Sequence, residues 1–214
     1  MSHGNQKQKP RLLIVGAFAP EIDRLAAADP REFDLLEAGI GSVAAAVSLQ
    51  ARLLNPAAAP VSEVLFLGSA GVYDPAAPAG PGAFGFSTGF CKRDLATLEG
   101  RAHAPGTGGE IFTTEVGERG AAMRAAVEAS KIQDGVTNST DSVSLVQVEV
   151  SDCAFENLEA FGVAWVCRRY AVPFGAFFAL TNSVGPEGSE QWRANYREMS
   201  LELQGFAVKS LSEA

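Results

Sequence analysis

The 214-residue chain has only three cysteines, Cys91, Cys153 and Cys167, and two histidines, His3 and His103. None of these forms a C-x-x-C pair or a compact ligand cluster, which excludes a structural zinc site. Three scattered cysteines read instead as reduced residues of a cytosolic protein. Basic charge is also scarce. Seventeen Lys and Arg against twenty-five Asp and Glu leave a formal charge of −8. That excludes a general nucleic-acid binder, because neutralising phosphates takes clustered cations. No apolar run reaches the roughly 18 residues of a membrane span. The opening "MSHGNQKQKP" lacks the apolar stretch of a secretion signal. Residues 1–10 read as a loose tail and 11–214 as one domain, expected in the cytoplasm. At 47% apolar residues the chain has enough material for a sizeable core.

Short apolar runs alternate with helical spacing. "RLLIVGA" (11–17) predicts a buried strand, and Pro20 suits the first turn of a helix carrying Glu21, Ile22, Leu25 and Ala26. "FDLLEAGIG" (33–41) predicts a strand and a glycine turn. "SVAAAVSLQARLL" (42–54) predicts a helix that Ser42 can cap. "EVLFLGSAG" (63–71) predicts a third strand entering a glycine turn. This βαβαβ rhythm implies a mostly parallel sheet. Residues 74–85, rich in Pro, Gly and Ala, read as a loop. Beyond them the pattern predicts strands near 84–91, 110–114 and 143–150 and a helix at 118–130, with "DGVTNSTDSVSL" as strand plus loop. A helix at 156–170, a strand at 174–182 and a helix at 188–212 complete the chain.

Three polar residues stand out. On a 3.6-residue period Glu159 shares a stripe with Phe155, Gly162, Val163, Val166 and Tyr170, as its only charge. A buried carboxylate needs hydrogen-bond donors or a polar ligand; the same spacing also suits a carboxylate answering a helix dipole. Asn182 ends the apolar strand "FGAFFALTN", at the carboxyl edge where open α/β sheets bind ligands, or caps the next turn. Glu21 follows the first strand, facing either the same crevice or solvent. The small residues of "GSAG" (68–71) permit close backbone approach. "GIGS" (39–42) lacks the second glycine pair of a dinucleotide fingerprint.

Together, "LLIVGAFAPEI", "AGIGSVAAAVS", "LGSAGV" and "ENLEAFGVAWVCRRYAVPFGAFFALTNSVG" resemble, in order, the landmarks of the nucleoside phosphorylase and nucleosidase superfamily. Within it, methylthioadenosine/S-adenosylhomocysteine nucleosidase and futalosine hydrolase are the nearest parallels; residues 90–150 carry little of the likeness. The resemblance implies a three-layer α/β fold with a mixed, mostly parallel central sheet flanked by helices. It implies that Glu21, in a Gly-Ala-x-x-x-Glu element begun by Gly16 and Ala17, activates water. Ser69, Ala70 and Gly71 would lie beside the sugar; Leu158, in place of a family Met, would line the same pocket, and the Glu159 carboxylate would hold the sugar hydroxyls. Thr181 and Asn182 would meet the base, Asn182 standing where adenine-specific members carry Asp. Asn offers a donor as well as an acceptor, which favours a 6-oxopurine. Asn182, Val184 and Trp192 also resemble the futalosine hydrolase pattern.

The same comparison implies N-ribosidic hydrolysis with Glu21 and Asn182 catalytic, no metal or organic cofactor, a small purine nucleoside as partner, and a homodimer or larger assembly. "GIGS" and "GSAGVYDP" contain no arginine of the kind phosphorylases use for phosphate, which favours water as nucleophile. Phe178 occupies the place of a family arginine. That leaves two other readings open: a binding protein without turnover, and a divergent phosphorylase.

Overall fold

The computed structural model describes residues 9–27, 33–80, 82–103, 109–128, 131–148 and 150–212; residues 1–8 of the expected tail fall outside these. The strands are β1 (Arg11–Gly16), β2 (Phe33–Glu37), β3 (Val61–Val72), β4 (Phe84–Cys91), β5 (Phe112–Thr113), β6 (Ile132–Asn138), β7 (Phe155–Glu156) and β8 (Phe174–Ser183). The α-helices are α1 (Ser42–Leu54), α2 (Leu95–Leu98), α3 (Glu118–Ala126), α4 (Ala160–Tyr170) and α5 (Gly188–Ser212).

β1 lies between β2 and β3 with parallel pairing on both sides. β3 pairs with β8 parallel and, at its last residues, with β7 antiparallel. β7 pairs with β6, β6 with β4, and β4 with β8, so β3, β7, β6, β4 and β8 close into a ring. The sheet is therefore mixed, as expected, and rolls up on one side. β8 explains its central place: its residues 174–181 are all buried, so both faces need cover. Alternation along β1 sends Leu13 and Val15 into one core with Phe66, Val163 and Cys167. Leu12 and Ile14 go to the opposite core, with Leu65, Met199 and Leu203. The helices α1 and α4 cover the first face, and α3 and α5 the second.

Several expectations are corrected. The chain after Pro20 forms two 3-10 turns, Ala19–Glu21 and Leu25–Ala27, rather than one helix. Ser42 is the first residue of α1, not its cap. "GSAG" is not a turn but part of β3, kept extended by β8 along one side and joined by β7 only at Gly71. The region 143–150 has no strand among its described residues, while the strand expected within 134–145 runs over 132–138. α4 begins at Ala160, after the short strand β7.

α4 packs closely on α1. A Cβ at Gly162 would sit 2.1 Å from the carbonyl oxygen of Ser42. Helix propensity alone favours Ala over Gly by about 1 kcal/mol. The clash is with backbone, which cannot swing aside, so Gly162→Ala is expected to destabilise by a net of roughly 1–3 kcal/mol. Urea unfolding checks this; a stabilised variant would contradict the packing argument.

Candidate active site

The carboxyl ends of β1, β3, β7 and β8 border a cavity of about 390 Å³, the size of a small-molecule site. Its walls include Glu21, Ser69, Ala70, Gly71, Leu158, Glu159 and Asn182. Glu21 and Asn182, 161 positions apart in the chain, thus meet at one place.

Glu21 is buried, and its tight 3-10 turn folds it back on its own strand. Oε2 accepts from the Ala17 N–H at 2.8 Å and Oε1 from the Ser69 N–H at 3.1 Å. Helix α5 holds this turn in place. Gln204 donates to the Pro20 carbonyl and accepts from the Arg24 N–H, while the Ser200 hydroxyl also donates to Pro20. Burial, followed by the nearby charge of Glu159, raises the Glu21 pKa from 4.5 to about 8; the two N–H donors only partly offset this.

Glu159 does not lie on a helix face. It is the residue before α4, and Asn157 supplies the cap: Asn157 Oδ1 accepts from the N–H groups of Glu159 and Ala160 at 2.9 and 2.7 Å. Relieved of capping, the Glu159 carboxylate accepts from the Gly41 N–H at 2.8 Å and from Asn157 Nδ2 at 3.1 Å. Its pKa is raised by burial, against the pull of those donors.

A bulge sets the base end. Ala70 pairs with Leu180, but Gly71 pairs with Asn182, so Thr181 is the extra residue and Asn182 is turned into the cavity. Thr181 is fully buried behind it and is not a wall residue; its hydroxyl donates to Asn182 Oδ1 at 2.8 Å. Asn182 Nδ2 donates to the Ser183 carbonyl at 3.0 Å, leaving one N–H and one lone pair for a ligand. A Cβ at Gly71 would lie 2.8 Å from that nitrogen, so the amide needs glycine beneath it.

The site also uses residues to which the sequence pattern assigns no role there, Asn157, Glu156 and Arg193 among them, and Trp192, which the pattern includes without a role. Asn157 carries the Asx-before-helix signal, two residues ahead of Glu159. Glu156 lines the cavity and accepts from the Tyr73 hydroxyl at 3.1 Å and from Ser144 Oγ and N at 2.6 and 3.0 Å. Tyr73 is 83 positions away, so no local pattern announces the pair. Trp192 donates to Ser69 Oγ at 3.0 Å and stacks on Tyr196. Arg193 supplies the cation among the wall residues. Phe178, where the resemblance places an arginine, is not in the wall; it is buried against Phe66 and Phe155.

The raised pKa of Glu21 has a stability consequence. Between pH 4.5 and about 8 the folded protein keeps a proton that the unfolded chain releases. That contribution is fully present below 4.5 and is lost as pH rises through about 8. Glu21→Gln has no such proton to lose. Its stability relative to wild type is expected to rise between pH 5 and pH 9, by at most about 1.4 kcal/mol per unit of pKa shift. Urea midpoints measured across that range check the sign; parallel curves would show Glu21 ionised throughout.

Residues 34–212 match the phosphorylase superfamily. No curated protein sequence matches. Among solved structures, the fold is similar to Helicobacter pylori 5′-methylthioadenosine/S-adenosylhomocysteine nucleosidase, at a TM-score of 0.79 and 16% identity, covering 97% of this chain and 100% of that one. It is similar to H. pylori futalosine hydrolase at 0.78 and 17%, covering 95% and 97%. It is also similar to the Colwellia psychrerythraea methylthioadenosine/S-adenosylhomocysteine nucleosidase solved with adenine, at 0.74 and 19%, covering 96% of each. With the match spanning most of the sequence and the cavity at the carboxyl edge of the sheet, the chain belongs to the phosphorylase superfamily.

Proposed function

We propose that the protein is a nucleosidase that hydrolyses the N-ribosidic bond of a 6-oxopurine nucleoside, as a futalosine hydrolase does in releasing hypoxanthine. The observation carrying this is two buried carboxylates, Glu21 and Glu159, in the wall of one cavity, each held by backbone N–H groups. A breaking ribosidic bond leaves positive charge on the sugar, as in O-glycoside hydrolysis. Fixed carboxylates favour that charge without reorganising. Glu21 in its ionised form, made a stronger base by the burial that raises its pKa to about 8, would take the proton of the attacking water. Glu159 would accept from the ribose hydroxyls, beside Leu158 and the Ser69–Gly71 backbone. Asn182 would hydrogen-bond the departing base, whose final proton comes from water, since an amide has none to give.

Base preference rests on the two neighbours of Gly71. Glu156 pairs with it from one side and Asn182 from the other. Paired residues point to the same face, so an acceptor and a donor flank one gap. A 6-oxopurine offers N1–H and a carbonyl to such a pair, whereas adenine offers the reverse pattern. The wall carries three glutamates and one arginine, which supports water over phosphate as nucleophile.

We also propose a homodimer. Ile40, Val43 and Val47 around the start of α1, with Val143 and Leu145 of the neighbouring loop, leave apolar side chains exposed next to the cavity. Val47→Lys should yield a monomer in sedimentation equilibrium if that patch is the interface; an unchanged mass would remove it.

Phe178 favours a second reading, ligand binding without turnover, and one experiment separates the two. Free ribose and free base are measured from matched inosine-type and adenosine-type nucleosides, with and without phosphate. Wild type should release ribose without phosphate and prefer the inosine type. Glu21→Gln should lower kcat roughly 10²- to 10⁴-fold while still binding. Asn182→Asp should move the kcat/KM ratio toward adenosine by about 5- to 150-fold. Binding with no ribose release would leave the second reading, and an unmoved ratio would remove Asn182 from base selection.

A further inference from the structure

Two buried thiols lie outside the cavity but are wired to its wall. Cys91 ends β4, and Cys153 lies two residues before β7; their sulfurs are 3.5 Å apart and share a hydrogen bond. The two segments are already clamped. Arg93, two residues after Cys91, makes a two-pronged ion pair with Asp152 at 2.8 and 2.9 Å. Cys91 Sγ also donates to Asn138 Oδ1 at 3.5 Å. Asn138 Nδ2 donates to the Tyr73 hydroxyl at 2.9 Å, and that hydroxyl donates to Glu156 in the cavity wall. Glu156 in turn holds Ser144 of the loop that brings Val143 to the cavity. Cys167, by contrast, is buried in the core between α4 and the sheet, with no thiol partner.

We propose that Cys91 and Cys153 form a reversible redox pair, closed to a disulfide by a hydroperoxide, and that closure weakens purine binding through the Asn138–Tyr73–Glu156 chain. In the first step one sulfur attacks the peroxide O–O bond, becoming a sulfenic acid while the other oxygen leaves as water. The second thiol then displaces the sulfenic oxygen as a second water. The two thiols have lost two protons and two electrons, and hydrogen peroxide has become two waters. Dithiols of the cell reverse it by exchange. A bond of about 2.05 Å requires the sulfurs to approach by roughly 1.5 Å. The Cys91 thiol then no longer donates to Asn138. Residues 152–154, joined through Phe155 to Glu156 and Asn157, are drawn toward β4. The hydrogen shared with Cys153 lowers the pKa of Cys91, which favours the thiolate that reacts.

The test uses the folded, full-length chain and hydrogen peroxide. Mass spectrometry should find a loss of two hydrogens, peptide mapping should place the link between Cys91 and Cys153, and dithiothreitol should restore the mass. Hypoxanthine affinity by calorimetry should fall about 5- to 30-fold on oxidation, the worth of one or two wall hydrogen bonds, and return on reduction. Cys91→Ser and, independently, Cys153→Ser should bind hypoxanthine with no response to peroxide. The proposal is overturned if no link forms before the protein unfolds, if Cys167 oxidises as readily, or if the linked protein binds hypoxanthine unchanged. The link is read by mass, so it stands or falls apart from the nucleosidase reading on which the binding arm rests. If reduced protein binds neither hypoxanthine nor inosine, that reading fails even where the link is found.

Discussion

The site depends on keeping two carboxylates, Glu21 and Glu159, out of water and close enough to feel each other. An isolated carboxylate in an apolar surrounding costs several kcal/mol. The protein meets that cost with backbone N–H groups from Ala17, Ser69 and Gly41, which no side-chain substitution can remove. Those donors are free because a 3-10 turn replaces a helix at Glu21, because β1 stops pairing with β3 before Ser69, and because a glycine leads into α1 opposite Glu159. Phe178 lies outside the wall, packed against Phe66 and Phe155. Burial, followed by the charge of Glu159, is what raises the proton affinity of Glu21.

The same economy recurs at helix starts. α3 lacks a capping side chain of its own, and Glu63 from β3 accepts from the N–H groups of Arg119 and Gly120. α4 is served by Asn157 and by Ser139 Oγ, which accepts from Phe161. Each helix start is thus tied to a strand end, which fixes helix position against the sheet and, with it, the cavity wall.

Much of the fold was legible in sequence, because β1, β3 and β8 are apolar runs and α1 and α5 are long periodic segments. Glu21, Ser69–Gly71 and Asn182 were legible from ordered landmarks, although their meeting in space was not. β6 reads "IQDGVTN", polar and interrupted by glycine; it fits the strand-plus-loop expectation because β4 and β7 pair with it on either side. The failures have physical causes. The alternating "VSLVQVEV" looks like a strand, yet Leu145 and Val146 stay exposed and the Ser144 N–H is taken by Glu156 rather than by a ladder. Glu159 fits a helical stripe by spacing, but Asn157 Oδ1, two residues earlier, takes the first helical N–H groups and starts α4 at Ala160. The shift that turns Asn182 rather than Thr181 inward is a single extra residue in pairing, which no periodicity reveals.

The closed ring has a consequence for the order in which the protein comes into being. β8 pairs with β3 and β4 across about a hundred residues of intervening chain, and it is the strand that shuts the ring. Contacts of that sequence separation form slowly, because the chain must lose loop entropy before gaining them. A polypeptide emerging from the ribosome can assemble β1, β2 and α1 early, but β3 stays open along one edge until residue 183 is free. Asn182 and the α5 residues that steady Glu21 arrive with or after that strand. The ligand cavity is therefore absent from any nascent chain that still lacks β8 and α5.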